Sequence, residues 1–164
     1  MVKKVMATIK KFEDLEIWRL ARTLSNNIFK LTEMESFVKD FKFKAQIKSS
    51  SGSVMDNIAE GFGRRGNKEF INFLSIAVGS CCESQSQLYR TLDWKYISQE
   101  EININYSLTD EIISKTGKLI TYLNKSDFKG EKFNRETIEI ENIDTSKSSV
   151  TEANNKQQTT NYKH

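Results

Sequence analysis

The chain has 164 residues, 37% of them hydrophobic and 29% charged, with a formal net charge of +3. That is enough for one domain with its own core. No apolar run approaches the ~18 residues of a membrane span, and the lysines of "MVKKVMATIKKF" are not followed by the apolar stretch of a signal peptide, so a cytoplasmic protein is expected. The only histidine is His164, and Cys81 and Cys82 are adjacent. A histidine-based dyad or zinc site would need the chain end, and neighbouring cysteines suit neither a disulfide nor a C-x-x-C site. The bland reading of the pair is two small buried residues in a helix. No catalytic set, cofactor or metal site is expected. The chain also lacks proline, which suits long helices better than turn-rich β folds.

In chain order, residues 1–11 form a basic segment with four lysines. A first helix is predicted over 14–33, where Ile17, Leu20, Leu24, Ile28 and Leu31 recur every three or four residues, with Asp14 at its start. A second, over 38–63, has the stripe Phe43, Ile47, Ser51, Val54, Ile58 and Phe62, with Asp40 as cap. A third, over 67–93, aligns Phe70, Phe73, Ala77, Cys81, Ser84 and Leu88 behind Asn67 as N-cap. Its small residues around Gly79 invite close approach by another helix. A fourth, over 98–125, has Leu108, Ile112, Leu119 and Leu123 on one face, and Ser98 and Glu101 have capping-box spacing. Short connections make neighbours antiparallel. The expected fold is therefore all-α, an up-down-up-down four-helix bundle over 12–125. Residues 126–164 are polar and without sustained period, and read as an irregular, disordered tail.

Gly61, Gly63 and Gly66 spell G-x-G-x-x-G, the dinucleotide fingerprint. That motif needs a strand before its first glycine. Here Val54, Ile58 and Phe62 repeat with helical spacing, so the glycines read as a helix end and turn, with Gly61 a candidate for close packing. Ser53, Asn57, Glu60 and Arg64, spaced four, three and four, share a stripe of the second helix. Together with Glu83 they are expected to form a partly buried, hydrogen-bonded structural network.

These residues carry a resemblance. "FEDLEIWRLARTLSNNIFKLT" and "KDFKFKAQIKSSSGSVMDNIAEGFGRRGNKEFINFLSIAVGSCCESQSQL" resemble the four-helix-bundle proteins encoded by intervening sequences in bacterial 23S ribosomal RNA genes, over about residues 12 to 125. The most specific blocks are "NIAEGFGR" and "EFINFLSIAVGSCCE". The family motif falls on Asn57, Ile58, Ala59, Glu60, Gly61 and Arg64, then on Glu69, Phe70, Phe73, Leu74, Ala77, Gly79, Ser80 and Glu83. The resemblance implies a homopentameric ring. It also implies kinship with accessory variability determinant proteins of diversity-generating retroelements, which bind a reverse transcriptase and nucleic acid through basic surface. Two departures are visible: "MESFVKDF" replaces a proline-containing first loop, which suggests a looser one, and Gly52 stands mid-helix at a cost of up to ~1 kcal/mol against alanine.

In an antiparallel bundle, Lys3, Lys4, Lys10, Lys11, Arg64, Arg65, Lys68, Lys118 and Lys125 collect at one end, against Glu13, Asp14, Glu60 and Glu69. A ring with parallel axes would repeat that end around one face and attract phosphates. The expected function is a non-enzymatic oligomeric module that binds RNA or DNA through Lys10, Lys11, Arg64, Arg65 and Lys68. The alternative is a protein-only interaction scaffold.

Overall fold

A computed structural model describes residues 9–64 and 66–128, with side chains to 125. It contains a short 3-10 turn, Phe12–Asp14, and four helices: α1 Glu16–Thr32, α2 Phe41–Gly63, α3 Asn67–Asp93 and α4 Gln99–Phe128. No strand occurs among the described residues, and none precedes Gly61. Each helix packs on its two sequence neighbours and α1 closes on α4, while the diagonal pairs do not touch. The cross-section is square, and the seam between α1 and α2 lies opposite the seam between α3 and α4.

The core follows the apolar stripes. Ile17, Leu24, Ile28 and Leu31 of α1 are buried, as are Phe43, Ile47, Val54, Ile58 and Phe62 of α2 and Phe70, Leu74, Ala77, Cys81 and Leu88 of α3, whereas Leu20 and Phe73, expected on these stripes, are only half-buried. On α4 the inward face differs from expectation. It runs through Ile102, Asn105, Thr109, Ile112, Thr116 and Leu123, whereas Leu108 and Leu119 are half-buried. Thr109 returns its hydroxyl to the Tyr106 carbonyl at 2.6 Å, so this polar group does not face the core undressed. Ile9 is buried too, so packing begins three residues before the expected boundary at 12.

The caps are partly as read. Asp40 accepts from the Phe43 amide at 3.0 Å. Ser98 and Glu101 form the capping box, with Glu101 accepting from the Ser98 amide at 2.7 Å and Ser98 accepting from the Glu101 amide at 3.3 Å. At α3 the N-cap is Gly66, and Asn67 is the first helical residue. Asp14 precedes α1 rather than opening it, and its carboxylate accepts from the amides of Lys10 and Lys11 at 2.9 and 3.1 Å. Those two hydrogen bonds hold its carboxyl below the usual Asp range.

The loop end is an aromatic plug absent from the periodic reading. Phe37, fully buried in the α1–α2 connection, stacks on Tyr96 with centroids 4.7 Å apart. Ser36 donates to the Tyr96 carbonyl at 2.7 Å, and the Tyr96 hydroxyl donates to Asp40 at 3.1 Å. The proline-free loop is therefore pinned through Phe37. The α3–α4 turn is a Schellman motif: Tyr96 N donates to Thr91 O at 2.8 Å and Lys95 N to Leu92 O at 2.9 Å. Lys95 sits there at φ 60°.

The glycines separate cleanly. A Cβ on Gly61 would lie 2.5 Å from Phe73 Cβ and 3.0 Å from Phe70 Cδ2, whereas Gly52, Gly63 and Gly79 have open space. Gly61 is what lets α2 and α3 meet. Gly79 plays no such part within the chain.

Candidate nucleic-acid interface

The bundle end near the chain start is set by three local devices. Asp14 folds the segment before α1 back over itself. Gly61 brings the end of α2 onto α3, and the α2–α3 turn then exposes the first turn of α3. Lys115 of α4 reaches the start of α1, bridging Glu16 at 3.0 Å and, within its own helix, Glu111 at 3.5 Å.

On this end Lys10, Lys11, Lys68, Lys118 and Lys125 are all exposed. None of their side chains has an ion-pair partner among the described residues. Arg64 is exposed but committed. It pairs with Glu60 one turn earlier, an interaction that raises its pKa, and its guanidinium lies 5.3 Å from the Phe73 ring centroid. Of the expected cations, Arg64 is the least available to a phosphate. Arg65, Lys3 and Lys4 lie outside the described residues.

The expected polar stripe divides. Asn57 donates to the Ser53 carbonyl at 2.7 Å and to the Ser53 hydroxyl at 2.9 Å, and that hydroxyl meets Ser80 of α3 at 3.0 Å. Glu60 and Arg64 stand apart from this cluster, with side chains 51% and 52% exposed. Their pairing is an ordinary surface i,i+4 contact, not a buried network. Glu83 joins a different set. It accepts from Gln87 at 2.9 Å, and Ser50 donates to Gln87 at 2.6 Å and accepts from Ser84 at 3.0 Å. Ser50, Ser84 and Gln87 are buried, so the real polar seam joins the middle of α2 to the C-terminal half of α3. Its signal in the sequence was the pairs Ser50 and Ser53 on α2 and Ser80 and Ser84 on α3, each at helical spacing. A seam of this kind fixes register through satisfied hydrogen bonds.

The cysteines also divide. Cys81 is buried, its thiol 3.6 Å from the Thr109 carbonyl, and burial pushes it up to about 12. Cys82 is exposed, so only one of the pair is the small buried residue expected. No group of three or more potential metal ligands occurs among the described residues. No helix there is long and apolar enough to cross a membrane. The tail beyond 128 lies outside the described residues, and 126–128 extend α4.

Comparison with known proteins follows this geometry. The profile of a family described as 23S rRNA-intervening sequence protein matches residues 13–118. Among solved structures, the chain is similar to a protein of unknown function from the S23 ribosomal protein family of Bacteroides thetaiotaomicron. The two share 24% sequence identity and superpose with a TM-score of 0.59, over 63% of this chain and 97% of the other. No curated protein matches the chain.

Proposed function

The chain belongs to the 23S rRNA-intervening sequence protein family, and on that premise we propose that it is a non-enzymatic module that assembles with copies of itself and binds RNA or DNA through the basic end of its bundle. The observation that carries this reading is the group of five exposed lysines on one end, Lys10, Lys11, Lys68, Lys118 and Lys125, none of them in an ion pair among the described residues, although Asp14 lies near enough to Lys11 to feel its charge. A single subunit offers few contacts, and assembly with parallel axes multiplies them. A pentamer and a reverse transcriptase partner come from the family resemblance alone. A catalytic role has little to build on: Asp14 is shifted downward, the wrong direction for a general acid at neutral pH.

The test is retention of labelled single-stranded RNA as salt is varied. Lys10→Glu/Lys11→Glu/Lys68→Glu should weaken binding and flatten the log–log salt dependence by roughly one per lost phosphate contact. The fold should persist, since exposed substitutions shift stability by about ±0.5 kcal/mol each. Binding unaltered by the triple substitution, or absent at low salt, leaves the protein-only scaffold as the better reading.

A further inference from the structure

The charge on this bundle is also divided between its flanks. The helices α1 and α2 hold six basic and three acidic residues, with no acid at all in 17–32 or 41–55. The helices α3 and α4 hold eight acidic and five basic residues, the acids crowding 83–111 and the lysines the far end of α4. Because α1–α2 and α3–α4 form opposite sides of a square bundle, one flank is basic and the other acidic.

Each flank also carries an aromatic feature, an exposed ring on one side and a groove of mixed polar and apolar lining on the other. On the basic flank Phe29 is 54% exposed, with Lys48 Nζ 5.6 Å from its ring centroid and Lys30 beside it in sequence. On the acidic flank a groove of about 230 Å³ is lined by Tyr89, Asn103, Tyr106 and Asp110.

The features are level along the axis. Arg90 reaches Gln46 at 3.3 Å, Ser50 reaches Gln87 at 2.6 Å and Gln85 reaches Asp110 at 2.7 Å. Tyr89 and Tyr106 meet edge to face at 5.4 Å. Those cross-links place Phe29, Lys48, Tyr89 and Asp110 within about one helical turn, ~5.4 Å, of a common height. By the same count Lys42 is level with Asp93.

We propose that the basic α1–α2 flank of one copy docks on the acidic α3–α4 flank of the next, axes parallel, with Phe29 seated in the Tyr89–Tyr106 groove and Lys30 and Lys48 facing Asp110. The occupant is a second copy because both halves of the match are on this chain, in register and opposite in sign. Such a contact is head-to-tail, so it gives a ring where the rotation between neighbours closes and an open row where it does not. It also leaves the basic bundle end open. The inference rests on the self-assembly part of the proposed function, and adds the interface.

The test is sedimentation of the intact protein at low salt, with circular dichroism to check the fold. Wild type should assemble, and more weakly as salt rises. Lys30→Glu/Lys48→Glu and Asp93→Lys/Asp110→Lys should each weaken self-association tenfold or more. An equimolar mixture of the two should regain assembly, since each variant then offers the flank the other lacks. Phe29→Ala should weaken assembly without any change of charge. A wild type that stays monomeric defeats both this contact and the self-assembly reading. An assembled wild type whose variants all sediment unchanged defeats this contact alone. So does a Lys30→Glu/Lys48→Glu protein that assembles normally but loses RNA, because the basic flank would then serve phosphates.

Discussion

Gly61→Ala tests the helix contact on which the basic end depends. The added Cβ would stand 2.5 Å from Phe73 Cβ, where ordinary contact is 3.4–4 Å, and 3.0 Å from Phe70 Cδ2. The first of these atoms is rigidly attached to the α3 backbone, so no rotamer change relieves it. The helices must separate by ~1 Å at this point, and overpacking of this kind costs about 1–3 kcal/mol. Against it stands the alanine's better helix propensity, up to ~1 kcal/mol. The net expectation is a loss of about 1–2 kcal/mol, read as a fall in Tm of roughly 3–10 °C for a domain of this size. Gly52→Ala is the internal control, since Gly52 is in the same helix with nothing within 4 Å of the added carbon. It should gain up to ~1 kcal/mol. Both variants should be melted at one protein concentration, because assembly adds to apparent stability. If Gly61→Ala melts with or above wild type, α2 and α3 do not approach as described and the glycine is only a weak helix position.

Lys95→Gly should raise stability by about 0.5–1 kcal/mol in urea titration, because the C′ residue of the Schellman turn holds a left-handed φ of 60° that costs a side chain ~1–2 kcal/mol, partly offset by glycine's freer unfolded state. Glu60→Ala should change stability by no more than ~0.5 kcal/mol, as expected of an exposed i,i+4 pair; a larger loss would restore the buried-network reading. With iodoacetamide at mildly alkaline pH, mass spectrometry should find Cys82 alkylated and Cys81 untouched until the protein is unfolded, because the buried thiol is held at about 12. The depressed Asp14 carboxyl contributes stability above its ordinary value of 3.8 that is lost as pH falls through the lower folded value. Near-ultraviolet dichroism from Trp18, whose ring meets Phe12 edge to face at 5.0 Å, should change in that acid range and not between pH 5 and 8.

Three helices were legible because enough apolar residues recur at helical spacing to mark the inward face, even where Ser50, Ser51, Ser84, Gln87 and Thr91 interrupt it. Ile17 to Leu31, Phe43 to Phe62 and Phe70 to Leu88 each put one face inward, and burial against neighbours on both sides fixes which face. Helix α4 was found but its face was misassigned. Asn105, Thr109 and Thr116 occupy core positions, and a stripe drawn through the leucines alone is rotated toward Leu108 and Leu119. The aromatic plug was missed for a different reason. Phe37 and Tyr96 lie in connections, where no periodicity marks them, and only the fold brings residues so far apart in sequence into a stack. The polar stripe shows the same limit at the candidate site. Spacing placed Ser53, Asn57, Glu60 and Arg64 on one line, but it could not say what lies opposite. Ser80 opposes Ser53, which makes a hydrogen bond. The phenyl ring of Phe73 opposes Arg64, which leaves Glu60 outside as its partner.

The basic end was read from charges summed over each end of the bundle, and that summation hid the flanks. Helices of this length run from one end to the other, so an end count mixes residues from all four. A count by helix pair does not. The absence of any acid from 17–32 and from 41–55 is plain in the sequence, but it becomes a surface only because α1 and α2 are antiparallel neighbours, with Lys44 bridging to Glu33 at 2.9 Å and Lys48 covering Phe29 across their seam. Within one subunit, unrelieved like charge along a flank is a cost. A neighbour of opposite sign at the same height removes it, and also shields the exposed Phe29. The lysines of the bundle end have no such counterpart on the acidic flank. Their charge remains unmatched in an assembly of this kind, which is why the proposed phosphate contacts are assigned to them.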